Sequence, residues 1–176
     1  MNPILGWDIG GVNVKVAAVT GPMSPPHARS APFELQRDPA ALAALLRSLA
    51  DELSGGEVTH AVTMTAELSQ MFRTKANGVA FVLDQVEAAF PGARICVFTV
   101  DGRFVPPAAA RLEPLAVAAS NWAATARIVA REAGDAILVD IGTTTTDIIP
   151  IVGGRVAAIG LTDPARLASG ELVYTG

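Results

Sequence analysis

Two aspartates stand where an apolar residue would pack better. Asp8 lies in "WDIGGVNVKVAAV", residues 7–19, and Asp140 in "LVDIGTTTTDIIPI", residues 138–151; each closes an apolar run and opens an Asp-Ile-Gly step. A carboxylate inside a strand costs free energy unless something pairs with it. A glycine turn after the strand brings backbone N–H groups within reach of a phosphate, because no side chain stands in the way. The aspartate before such a turn supplies a carboxylate for hydrated Mg²⁺, which takes one or two carboxylates together with phosphate oxygens. Asp8 and Asp140 are therefore candidate metal ligands and candidate catalytic groups. Lys15 joins them as the cation near the first turn, placed to neutralise phosphate charge. Gly10, Gly11, Val12 and Asn13 at the first turn are candidate phosphate-binding residues, as are Gly142, Thr143, Thr144 and Thr145 at the second.

Either motif alone is weak. A single "DIGG" is most often a hairpin turn with a solvated aspartate, and a threonine run is a good strand former. Two matching hairpins favour phosphate binding. Glu67, in "TMTAELSQ", follows a strand end. It reads either as a general base or substrate-amine ligand, or as a first-turn glutamate favoured by the helix dipole. Asn121 sits inside an apolar helix and needs a partner if buried. With Asp147 and Glu171 it completes the candidates for lining a cleft. Trp122 reads as core, and Arg73 and Lys75 as solvated surface unless an anionic substrate meets them.

The elements that must position these residues follow from pattern. Residues 4–10 and 12–19 are two apolar strands joined at Gly10-Gly11. The proline-rich stretch 21–32 reads as a loop, with a short extended piece at "PFELQ". Residues 38–53 read as a helix with Asp38 as N-cap and Pro39 in its first turn. A strand at 58–65, a helix at 77–90, a strand at 93–100 and a long alanine-rich helix at 113–133 come next. "DAILVDIG", "TTTTDIIPIV" and "RVAAIG" then form three strands. The second triplet opens like the first, with Asp140 following Asp8 by 132 residues, a duplication at domain scale. Residues 1–133 are accordingly one α/β domain with a mixed five-stranded sheet. Residues 134–176 are the start of a second, similar one, whose remainder is expected beyond this chain.

Composition closes off other classes. At 176 residues the chain can bury a core without a disulfide or metal staple. Its one cysteine, Cys96, lies in an apolar run and reads as a small hydrophobe; His27 and His60 are scattered and form no metal site. The net charge of −4 and the absence of a Lys/Arg cluster argue against nucleic acid as partner. Mean hydropathy is +0.40, yet no apolar run reaches the ~20 residues of a membrane helix. The expectation is a cytoplasmic protein, off the membrane, with a phosphorylated small-molecule partner and homo-oligomerisation open.

The two turns resemble the phosphate-1 and phosphate-2 motifs of the actin-like ATPase (ribonuclease H-like) superfamily. More narrowly, "GWDIGGVNVKVA", "VTMTAELSQMFRTKANGV", "AASNWAATA", "DIGTTTTDIIPI" and "GELVYTG" resemble the hydantoinase/oxoprolinase-related family of the tetrahydromethanopterin- and methanofuran-linked one-carbon pathway. The resemblance spans nearly the whole chain. It implies the superfamily's duplicated fold with ligand bound between the copies, Mg²⁺ as cofactor and ATP as a further candidate. It also implies an enzyme of methanofuran-type biosynthesis, in which an aminomethylfuran diphosphate condenses with an amine of a glutamyl-tyramine-like or tyrosine-like acceptor and diphosphate departs. An ATP-dependent kinase or amide-forming enzyme, and a non-enzymatic nucleotide-binding assembly or sensor subunit, are the alternatives.

Overall fold

The computed structural model describes residues 3–21, 24–142 and 145–174. They divide into two compact units, Met1–Thr99 with Arg103–Asn121, and Val100–Gly102 with Trp122–Gly176.

The first unit opens with strands β1 (Ile4–Ile9), β2 (Asn13–Val19) and β3 (His27–Pro32), followed by helix α1 (Leu42–Leu53), strand β4 (Thr59–Met64), helix α2 (Lys75–Ala89) and strand β5 (Arg94–Phe98). β6 (Phe104–Val105) and the short helices α3 (Pro107–Leu112) and α4 (Pro114–Val117) complete it. The sheet runs β3-β2-β1-β4-β5-β6, with β1, β4 and β5 parallel and the rest antiparallel. All five strands of the mixed sheet are present, and the two-residue β6 extends its edge. Leu5, Trp7 and Ile9 alternate inward along β1 and share one core with Leu42 and Leu46 of α1 and Val79, Val82 and Val86 of α2. The Asp38 carboxylate caps the start of the first helical segment by accepting from the Ala41 N–H at 3.3 Å.

In the stretch up to residue 121, two features differ from the sequence reading. The third strand is 27–32, inside the stretch read as a loop, and not "PFELQ". It is an edge strand in which only Ala31 packs against the core, so no apolar alternation marks it. Phe33 and Leu35 are instead buried, and their N–H groups bond the carbonyls of Val12 and Gly11 at 2.9 Å each. The long helix expected at 113–133 is interrupted. α4 ends at Val117, residues 118–120 leave helical geometry, and Ala119 adopts a φ of 49°.

In the second unit, helix α5 (Asn121–Glu132) precedes strands β7 (Ala136–Ile141), β8 (Thr145–Val152) and β9 (Arg155–Val156), helix α6 (Asp163–Ser169) and strand β10 (Leu172–Tyr174). The helical turns from Trp122 onward, drawn from sequence into residues 1–133, thus pack with this unit. Its sheet runs β10-β8-β7, with β9 as a two-residue flap on β8. "RVAAIG" is therefore not the third strand. Only Arg155 and Val156 pair, and the strand taking the place that β3 has beside β2 is β10, reached through α6. Pro164 in the first turn and Gly170 in left-handed geometry at the C-cap delimit that helix.

Candidate functional site

The first turn joins β1 to β2 in a register that sets Asp8 opposite Lys15. Cross-strand partners share a face, so the two side chains meet: Lys15 Nζ donates to Asp8 Oδ2 at 3.1 Å. Lys15 is 61% exposed and Asp8 29%. Asp8 Oδ1 is buried and has no hydrogen-bond partner among the described residues. At the tip, Gly10 N–H donates to Asn13 O at 2.9 Å, and a Cβ at Gly10 would stand 2.7 Å from that same oxygen. The tip carbonyls of Gly11 and Val12 are committed to Leu35 and Phe33. Every peptide here is trans, and a trans peptide points N–H opposite to C=O. The N–H groups of Val12 and Asn13 therefore face away from residues 33–35, as a paired donor set at the carboxyl end of β1. Ligands of open α/β sheets bind at that end of parallel strands.

The second turn repeats the first. The β7–β8 register is the β1–β2 register displaced by 132 residues: Ile4↔Val19 becomes Ala136↔Ile151, and Asp8↔Lys15 becomes Asp140↔Asp147. Gly142 N–H donates to Thr145 O at 2.9 Å, matching Gly10 and Asn13. Thr143 and Thr144 lie outside the described residues. The charge pattern is not repeated, because an aspartate stands where the first turn has Lys15. Like charges directly opposed across strands repel, and the compensating cation comes from elsewhere.

That cation is Arg166, which the sequence reading missed. It is 1% exposed on α6; Nη1 donates to Asp147 Oδ1 at 2.6 Å and Nη2 to the Glu171 carbonyl at 2.9 Å. Its guanidinium lies 3.9 Å from the Trp122 ring centroid, a cation–π contact. Gly160 makes room for it, since a Cβ there would come within 2.6 Å of the Arg166 backbone. Glu171 is structural in this unit: its carboxylate accepts from the N–H groups of Ile159 and Gly160 at 2.7 and 2.8 Å. Burial alone would raise the Glu171 carboxyl, but those two N–H groups, Ser169 and Arg166 outweigh it and hold it below the usual range. Asp147 goes the other way, pushed up by burial, with Asp140 and Asp163 adding to the push and Arg166 opposing it.

Glu67 is 2% exposed in a single helical turn after β4, and its Oε1 accepts from the Ala119 N–H at 2.7 Å. Helix α2 comes this close because residue 78 is glycine: a Cβ there would sit 2.6 Å from the Glu67 backbone. Glu67 thus holds the break at 118–120 beside the end of β4, where Met64 bridges Ala118. Asn121 begins α5 directly after that break. At the opposite end of the sheet, the Trp7 indole N–H donates to His60 Nδ1 at 3.1 Å, and His60 stacks on Phe90 at 3.8 Å. Burial lowers the His60 pKa to about 4. Among the described residues no group of three or more metal-ligating side chains occurs, and no helix is long and apolar enough to cross a membrane.

A family model described as Hydantoinase/oxoprolinase matches residues 58–176. A protein of Methanocaldococcus jannaschii is 42% identical over 174 residues, which is 98% of this chain and 50% of that protein. It is named as the synthase of a furan-2-yl methanamine that carries a gamma-L-glutamylaminoethyl group through a phenoxymethyl link. A protein of the same name from Methanococcus vannielii is 62% identical over 40 residues, covering 23% of this chain and 18% of its own. The chain thus spans about half the length of the M. jannaschii relative. Among solved structures, ethanolamine utilization protein EutJ from Carboxydothermus hydrogenoformans aligns with a TM-score of 0.51 at 18% identity, over 90% of this chain and 50% of its own. That likeness is one of fold: an α/β architecture with a mixed sheet and flanking helices.

Proposed function

The chain belongs to the hydantoinase/oxoprolinase family, and from that premise we propose that it serves in methanofuran-type cofactor biosynthesis as a diphosphate-releasing transferase. The relatives' product is a phenoxymethyl ether. The acceptor atom is therefore a phenol oxygen, where the sequence reading had placed an amine. That oxygen attacks the methylene carbon of an aminomethylfuran diphosphate, forming a C–O bond as the bond from that carbon to the diphosphate oxygen breaks. The electron pair stays with the diphosphate, which can take up the phenol's proton.

The observation that carries the reading is the first turn. The N–H groups of Val12 and Asn13 face away from residues 33–35, and Lys15 stands on the face of Asp8. Donors held in place before charge develops on a leaving group stabilise the transition state at no reorganisation cost. The donor set suits Mg²⁺ at Asp8, whose buried Oδ1 lacks a hydrogen-bond partner among the described residues, and at the exposed Asp140. When bound, Mg²⁺ would neutralise charge on the departing diphosphate. Glu67 acts as a positioning residue through the 118–120 break.

Incubation with a synthetic aminomethylfuran diphosphate, γ-glutamyltyramine and Mg²⁺ tests the reading. Ether product and diphosphate in equal amounts, with ATP neither needed nor consumed, is the expected result. Product formation that depends on ATP hydrolysis would replace the reading with an ATP-dependent ligase or kinase.

A further inference from the structure

At the amino end of β1 and β4, away from the first turn, lies a cavity of about 420 Å³. Leu5 and His60, paired across the two strands, line it from the sheet. Asp51 and Ser54 line it from the end of α1, and Phe90 from the end of α2. Small-molecule sites usually measure ~300–1,000 Å³.

Its lining leaves several polar demands unmet. Of the polar side chains there, His60 is buried, while Arg47, Asp51 and Glu57 are exposed. An indole nitrogen can only donate, so the His60 Nδ1 that Trp7 meets at 3.1 Å carries no hydrogen. Burial holds the ring neutral, which puts its proton on Nε2. That N–H points away from Trp7 and finds no acceptor among the described residues. A buried donor left unmet is costly, so this one calls for an acceptor. Arg47 and Asp51 stand one turn apart on α1, the spacing of an ordinary ion pair. Yet neither they nor Glu57 joins an ion pair among the described residues. Asp51 also has the wrong sign for its place. The last turn of a helix favours a cation, and neither α1 nor α2 has a basic residue there.

We infer that this cavity binds a free amino acid whose apolar side chain ends in a hydroxyl. The hydroxyl oxygen accepts from His60 Nε2–H, and the apolar part lies against Leu5, Val58 and Phe90. The carboxylate meets Arg47, and the ammonium meets Asp51, Glu57 and the two helix ends. The inner group is neutral because a carboxylate there would face one neutral donor among apolar side chains, and a charge so poorly paired is expensive to bury.

L-tyrosine is the probe, titrated into the ¹⁵N-labelled chain. Saturable shifts should appear at the amides of His60, Phe90 and Gly92, and none at Val12 and Asn13. Three analogues each delete one contact. L-phenylalanine lacks the hydroxyl and should bind about fivefold more weakly. L-tyrosinamide lacks the carboxylate and 3-(4-hydroxyphenyl)propionate the ammonium, and each should lose about tenfold. Arg47→Ala, at an exposed position, should weaken L-tyrosine about tenfold and leave L-tyrosinamide unchanged. No shift at those three amides up to the solubility limit of L-tyrosine overturns the proposal. So does L-phenylalanine binding as tightly as L-tyrosine, or an Arg47→Ala loss that L-tyrosinamide shares in full.

Discussion

Replacing Arg166 by methionine should unlock the second unit without touching the first. The guanidinium is 2% exposed and its partner Asp147 is 20% exposed, at 2.6 Å. Removing one member of a buried ion pair costs about 3–5 kcal/mol, because the survivor keeps its charge without compensation. Water reaches a fifth of Asp147, so the lower end, about 3 kcal/mol, is the expected loss. Methionine still covers the Trp122 ring, which limits the packing loss. Asp147→Asn strands the arginine instead, at a comparable cost. The double variant should then lose clearly less than the sum, with a coupling energy near the top of the ~0.5–3 kcal/mol range for contacting residues. The chain has two tryptophans, Trp7 in the first unit and Trp122 in the second. In a Trp7→Phe background, urea unfolding followed by fluorescence therefore reports the second unit alone. Additivity within about 0.5 kcal/mol would show that Arg166 and Asp147 act independently and refute the reasoning.

Lys15→Ala should weaken diphosphate binding by roughly the 1.5–3 kcal/mol of a charge-assisted hydrogen bond. Because the pair is mostly solvated, urea midpoints should place the loss of stability under about 1 kcal/mol. His60 is held neutral in the fold, with its pKa lowered from 6.5 to about 4. The unfolded chain therefore takes up a proton first, and stability should fall as pH drops from about 6.5 to about 4, by up to ~3 kcal/mol at ~1.4 kcal/mol per unit. Protonation would also place a hydrogen on Nδ1, which now accepts from Trp7. His60→Asn should flatten that part of the pH–stability curve, and an unaltered slope would remove His60 as its source. Glu67→Gln keeps an acceptor for Ala119 and should keep the fold. Glu67→Ala leaves that N–H unmet and should cost about 1–3 kcal/mol by thermal unfolding.

The parts legible in the sequence are those written in local pattern. Alternation set β1, β2 and β4; a capping aspartate with Pro39 set the start of the helical turn at Pro39–Ala41 that leads into α1; and the repeated Asp-Ile-Gly located both turns. What escaped depends on distant partners. The break at 118–120 sits in an alanine-rich run with every local reason to stay helical, and it opens where the Glu67 carboxylate holds the Ala119 N–H. β3 is an exposed edge strand without alternation, so only its pairing with β2 reveals it. Nothing in the sequence reading singles out Arg166, yet "TDPARLASG" carries a helix start and a glycine stop, and Asp147 at the position of Lys15 demanded a cation from somewhere. Lys15 could not be oriented from sequence, because the Gly-Gly turn intervenes; the register placed it on the face of Asp8.

The central claim is that the first turn grips a diphosphate through the N–H groups of Val12 and Asn13. Titrating inorganic diphosphate with Mg²⁺ into the ¹⁵N-labelled chain, and following every backbone amide, tests it most directly. Saturable downfield shifts at Val12 and Asn13, weakened in Lys15→Ala, are the expected result. Saturable binding that leaves those two amides unmoved, or no binding at all, would contradict it.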